Sequence, residues 1–209
     1  MEYLVVSLMA IVFLQTRVME LRRATFCLSV QSALIAASCL LLGLSHGGGV
    51  HAWLPGILTI GVKVIFIPYA ILSVVGQLRD EREIISAINV NYSTAVAAAS
   101  LALSYLITDS LLPHNPVRDI LATSLFMIMT GLALIVMRSR AIMQMLGLIT
   151  LENGIYLLGL VMTEGLPLII ELGIFLDVLI AVVILVILTS RLRLSFKTTD
   201  TNVMDRLKG

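Results

Sequence analysis

The chain has 209 residues, is 59% hydrophobic and carries a net charge of +1, with a mean hydropathy of +1.04. A water-soluble domain of this size has too little interior to hide that much apolar surface, so the composition points to the lipid bilayer. The near-zero charge and the lack of a basic run exclude a nucleic-acid partner.

Seven apolar stretches follow one another: Tyr3–Thr16, Ala24–Leu44, Leu54–Leu78, Ile84–Ile107, Ile120–Met137, Ala141–Val161 and Pro167–Thr189. Helix breakers separate them, with Gly47-Gly48-Gly49 after the second, Pro113 and Pro116 after the fourth, and Gly165 and Pro167 before the seventh. The first stretch lacks the positive leader region and the small-residue cleavage site of a signal peptide, so a retained span is expected. Cys27 and Cys39 both fall in the second stretch. At 1.5 Å per residue they lie roughly 18 Å apart along one helix, too far for a disulfide. The histidines, His46, His51 and His114, are in loops without metal-ligand spacing, and no metal site is expected.

Of the 14 lysines and arginines, all but Arg118 and the intramembrane Lys63 fall after spans one, three, five and seven. Positive residues stay in the cytoplasm. The pattern therefore predicts a multi-pass, all-α bundle of seven transmembrane helices, with the N-terminus outside and the C-terminus cytoplasmic. No nucleophile–base pair or phosphate loop stands in a soluble segment, so no active site is expected within the chain, which reads as a conduit or a scaffold.

The polar residues inside the spans carry the functional signal. Glu152 and Asp177 stand near the middle of the last two spans. An ionised side chain at the bilayer centre costs roughly 2.5–3.5 kcal/mol on insertion scales, and an acid there marks an ion path by default. The plainer alternative is that Glu152 fastens this helix to a partner. Asn153 is adjacent, and Tyr156 stands at i+4, where its hydroxyl can hydrogen-bond the carboxyl group. Glu171 lies nearer the outer surface on the seventh span, as a group at the mouth of a path or as an interfacial charge, and Glu164 reads as a solvated loop charge. Lys63 sits near the middle of the third span, five residues before Pro68. A proline frees the carbonyl at i−4, here Val64. Burial disfavours charge on a lysine and on an acid alike, so a buried pair can exchange a proton. The alternative for Lys63 is snorkelling along its flexible stem. Gln31 and Ser38, and the group Asn89, Asn91 and Tyr92, read as hydrogen-bonding glue between helices.

The run RSRAIMQMLGLITLENGIYLLGLVM from Arg138, followed by GLPLIIELGIFLDVLIAVVIL, resembles hydrogenase-4 component E, a membrane subunit of formate-hydrogenlyase-type complexes. Glu152-Asn153-Gly154, Pro167, Glu171-Leu172-Gly173 and Asp177 carry the likeness. The last three spans also resemble the small three-helix subunit of complex I and of multisubunit cation/proton antiporters. Two departures from that subunit are visible: after Gly147-Leu148 the acid comes one turn late, with Ile149 where glutamate is usual, and the second acid is aspartate. The resemblance divides the chain into a four-helix N-terminal part, 1–117, and a three-helix C-terminal part with a short cytoplasmic tail, 118–209.

The resemblance implies a non-catalytic membrane subunit of a group 4 membrane-bound [NiFe]-hydrogenase complex. Its neighbours would be antiporter-like and quinone-site-like membrane subunits and a hydrogenase peripheral arm. No cofactor is expected in this chain, and nickel–iron and iron–sulfur centres are expected in the partner subunits. Glu152, Asp177, Glu171 and Lys63 would line a path for protons or Na+, with Asn153 and Tyr156 in support. The rival expectations are a structural scaffold in the same complex and a subunit of a cation/proton antiporter without a redox arm.

Overall fold

A computed structural model describes residues 2–45, 50–75, 90–113, 115 and 117–162. The chain forms helices α1 (Glu2–Arg17), α2 (Leu21–Ser45), α3 (Val50–Thr59), a π-helix (Ile60–Phe66), α4 (Ile67–Val75), α5 (Val90–Leu111), α6 (Arg118–Met137) and α7 (Ala141–Met162). No β-strand occurs among the described residues. Five segments are long and apolar enough to cross a membrane: Leu21–Leu41, Gly56–Ser73, Asn91–Leu111, Arg118–Met137 and Ala141–Leu160. A sixth apolar helix, Tyr3–Arg17, is shorter. The protein is a multi-pass helical membrane protein. The seventh predicted stretch, with Glu171 and Asp177, lies outside the described residues, as do His46, Asn89, His114 and Glu164.

Helix ends follow local chemistry. Arg17 closes α1, where a cation complements the partial negative charge of the last carbonyls. Asp119 stands in the first turn of α6, at the opposite dipole end. Just before it, Asn115 Oδ1 accepts a hydrogen bond from the Val117 N–H at 2.9 Å, and Arg118 bridges to Asp109 at 3.0 Å, joining the end of α5 to the start of α6. Hydroxyls within the helices bond back to their own backbone, as Thr25 does to the Leu21 carbonyl and Thr108 to that of Ser104. This is the usual way a helix carries a buried hydroxyl. Ser38 does the same to Leu34, so its polarity is spent locally rather than between helices.

Two hairpins form the centre. α1 and α2 are joined through residues 18–20, and α6 and α7 through 138–140. α1 packs on α6 and α2 on α7, so the four helices close a ring, with the π-helix and α4 against α2, and α5 against α1 and α6. Arg138 ties the two turns together. It is 2% exposed, and its Nη2 donates to the Thr16 carbonyl at 2.6 Å. A guanidinium there also satisfies one of the orphan carbonyls that end α1. Gln144 Nε2 in turn donates to the Arg138 carbonyl at 2.8 Å.

α6 and α7 approach closely because glycines face each other across the seam. A Cβ on Gly131 would stand 2.5 Å from the Leu151 nitrogen and 2.8 Å from the Gly147 carbonyl oxygen. A Cβ on Gly147 would meet the Leu134 side chain at 2.9 Å. Small residues at the contact let helices gain dispersion contacts where no hydrophobic drive operates between them. The seam places the functional face of α7 at a fixed rotation.

Gly131→Ala is expected to lower the stability of the full chain by about 1–3 kcal/mol, the cost of overpacking against backbone that cannot yield. Gly61→Ala, where nothing lies within 4 Å of the added Cβ, serves as the comparison. Thermal unfolding of both variants in detergent checks this, and equal midpoints would refute the close-packing account.

Candidate functional site

The third span is not a uniform helix. Residues 60–66 widen into a π-helix with Lys63 at its centre, and the Ile67 N–H bonds the Val62 carbonyl, five residues back. Pro68 explains why: it has no N–H to give and its ring would crowd the Val64 carbonyl in an ordinary α-helix. Widening by one residue relieves the clash, and such insertions recur at functional sites. The expectation that Pro68 disturbs the ladder beside Lys63 is met, over more residues than a single freed carbonyl.

Lys63 does not snorkel. It is 2% exposed, and its ammonium lies 2.6 Å from Glu152 Oε1 on α7, which is itself 5% exposed. The contact is an ion pair set off the ideal hydrogen-bond direction, and Glu152 Oε2 meets no donor among the described residues. Lys63 Nζ also donates to Asn153 Oδ1 at 3.1 Å. Its third neighbour is the Tyr156 ring, whose centroid is 5.5 Å away, within reach of a cation–π attraction. Glu152 therefore has an ion-pair partner within its own chain.

Asn153 links this pair to α2. Its Nδ2 donates to Gln31 Oε1 and to Ser32 Oγ, each at 3.2 Å. Lys63 and the Gln31 oxygen set the amide with its oxygen toward Lys63, since a flipped amide would lose both of those bonds, while the Ser32 hydroxyl could serve either way. Gln31 hydrogen-bonds across two helices, as expected, and through that bond it belongs to the site. The signal available for it was the adjacent polar pair Gln31-Ser32 near the middle of an apolar span, the same kind of signal that marked Glu152-Asn153.

The role expected of the Tyr156 hydroxyl is corrected. Neither Glu152 oxygen accepts a hydrogen bond among the described residues, and the hydroxyl instead contacts Cys39 Sγ at 3.2 Å. One turn of helix puts Tyr156 beside Glu152, but its ring lies over Lys63 and its tip reaches past the carboxylate to α2. Cys27 and Cys39 are both buried thiols with no disulfide between them, as their separation requires. Tyr92, read as glue, is 59% exposed.

The polar layer is enclosed. One apolar cluster packs Leu28, Ile67, Ile71, Leu146 and Ile149 on the side of the hairpin turns. A second packs Ile35, Cys39, Phe126, Tyr156 and Leu157 on the other side. On α2 the order is Leu28, then Gln31 and Ser32, then Ile35; on α7 it is Ile149, then Glu152 and Asn153, then Tyr156. A separate polar pair, Gln15 Nε2 to Thr150 Oγ1 at 3.0 Å, joins α1 to α7 nearer the turns. Between apolar layers an ion pair feels a low dielectric, which strengthens attraction and makes a lone charge expensive.

The fold and the enclosed pair define a helical membrane protein with a buried cation–carboxylate site and no metal-binding cluster of His, Cys, Asp or Glu among the described residues. Over 192 residues the chain is 31% identical to the uncharacterized protein Rv0085 of Mycobacterium tuberculosis (strain ATCC 25618 / H37Rv), covering 90% of this chain and 87% of that one. The chain belongs to the family of that protein. No family model and no solved structure matches it.

Lys63→Met or Glu152→Gln alone is expected to destabilise the full chain by about 3–5 kcal/mol, because each leaves the other group buried without its partner. The double variant is expected to recover most of that loss. A double-mutant cycle on denaturation midpoints measures it, and simple additivity would show that the two side chains do not interact.

Proposed function

We propose that this protein is a membrane subunit of a group 4 membrane-bound [NiFe]-hydrogenase or formate-hydrogenlyase-type complex, and that it contributes a leg of an ion path coupled to redox chemistry in other subunits. The observation that carries the ion-path reading is the Lys63–Glu152 pair, 2.6 Å apart and buried in the midst of apolar helices. A buried charge pair adds little to stability that well-packed apolar residues could not supply. Ionisable groups kept inside a membrane bundle are most often there to move charge.

The pair can hold a proton in two ways without changing its total charge. Transfer from Nζ to Oε1 breaks an N–H bond and makes an O–H bond, leaving a neutral amine beside a neutral acid. Asn153 Oδ1 keeps an acceptor on Lys63 in both states, and Gln31 keeps that amide oriented. The apolar clusters on either side favour movement within the polar layer over movement straight along the helix axes. Asp177 and Glu171 remain proposed members of the same path, Glu171 toward its outer mouth. The hydrogenase assignment and its partners rest on the sequence resemblance through residues 138–190. An N-out, C-in orientation, read from the arginines and lysines, in the prokaryotic inner membrane that the resemblance implies, completes the proposal.

The test is made on the complex purified from its native membrane through a tag on this chain. Nickel and hydrogenase subunits are expected to co-purify. In vesicles, the double variant Lys63→Met with Glu152→Gln, which leaves neither group buried without its partner, is expected to leave the complex assembled with hydrogen evolution intact and to reduce coupled ion uptake at least about tenfold, equivalent to about 1.4 kcal/mol on the rate-limiting step. Assembly that fails in the double variant while residual complexes pump normally would establish the scaffold role instead. Antiporter subunits co-purifying without a hydrogenase would place the chain in an antiporter.

A further inference from the structure

We infer that the ion handled at this site is the proton and that Na+ is excluded, because the ammonium of Lys63 occupies the position a metal cation would take. The inference rests on the ion-path reading above and narrows it to one substrate.

Among the described residues, the ammonium faces a carboxylate oxygen of Glu152 at 2.6 Å, an amide oxygen of Asn153 at 3.1 Å, and the Tyr156 ring with its centroid at 5.5 Å. All three come from one turn and a half of α7. Carboxylate, amide carbonyl and aromatic face are each attractive to a monovalent cation. Asn153 is set in this role without help from Lys63, since Gln31 holds its nitrogen and so turns its oxygen to the site. The pocket is therefore a cation pocket built by α7 and α2, and the cation that fills it is tethered, delivered from the π-helix of the third span.

This arrangement leaves no place for Na+. A hard cation takes several oxygen ligands, and here Glu152 Oε1 and Asn153 Oδ1 already face Nζ, which leaves only Glu152 Oε2 of the carboxylate without a donor among the described residues. A Na+ beside the ammonium would set two positive charges against one carboxylate in a medium of low dielectric, where repulsion at contact distance is severe. A proton meets neither obstacle, because it needs no coordination shell and only shifts between Nζ and Oε1 while the total charge stays the same.

The pocket is tested on the full chain in detergent by thermal unfolding, with Na+ exchanged for choline at fixed ionic strength. The wild type is expected to unfold at the same temperature in both salts. Lys63→Met vacates the pocket, and Na+ is expected to raise its midpoint by about 5 °C, the linkage expected of a ligand well above its dissociation constant. Adding Glu152→Gln is expected to remove that response. A Na+-specific, Glu152-dependent stabilisation of the wild type overturns the inference, and so does a folded Lys63→Met protein indifferent to Na+. Should Lys63→Met fail to fold, the wild-type complex in vesicles decides. Ion uptake unchanged when choline replaces Na+, with no radiolabelled Na+ taken up, sustains the inference. Na+ uptake lost in Glu152→Gln overturns this inference alone. No coupled movement of either ion removes the ion-path reading and this inference together.

Discussion

An ammonium and a carboxylate 2.6 Å apart inside an apolar bundle set a demand on everything around them. Neither can be buried alone at acceptable cost, so α7 and the third span must meet in one register for the bundle to close. The features that fix that register are distributed over the chain. Glycines at 131 and 147 set the rotation and depth of α7 against α6. Arg138 clamps the turn of one hairpin to the last carbonyls of the other. The π-helix presents Lys63 inward from a span that is otherwise widely exposed, with Ile65 62% and Tyr69 72% exposed nearby.

The site also shows how a polar layer is tolerated in such a setting. Asn153 is the joint, accepting from Lys63 and donating to Gln31 and Ser32, so that one amide connects three helical segments. Apolar clusters border the layer on both sides and keep its electrostatics strong. A single carboxylate oxygen, Glu152 Oε2, and the Gln31 nitrogen have no partner among the described residues. In a purely structural contact such atoms would be a net cost, whereas a group that must take up and release a proton needs an acceptor left available.

Membership of the family of the mycobacterial protein rests on similarity along most of both chains. That similarity gives the chain its family and leaves its chemistry to be argued from the site. The ion-path proposal stands on the buried pair, and the hydrogenase proposal stands on the residue pattern from Arg138 onward.

The amino-acid sequence by itself determined the class of the protein and most of its helices. Long apolar runs admit no other reading in water or lipid, and the observed α6 and α7 lie within two residues of the stretches read from hydropathy. It also marked Lys63, Glu152 and Asn153, since ionisable and amide groups in such runs need a reason to be there. Pro68 forecast a disturbed ladder beside Lys63 because a missing N–H is a covalent property. Which groups meet was decided only by the tertiary structure. Lys63 and Glu152 are 89 positions apart, and no local rule pairs them; the packing of the third span on α2 and α7 does. The same packing gave Gln31 its particular partner across the helices, Asn153, and sent the Tyr156 hydroxyl to Cys39 rather than to its i−4 neighbour. Helix periodicity says which side chains share a face, but the partner that face receives depends on the rotation and depth of the next helix, which only the close-packed whole defines.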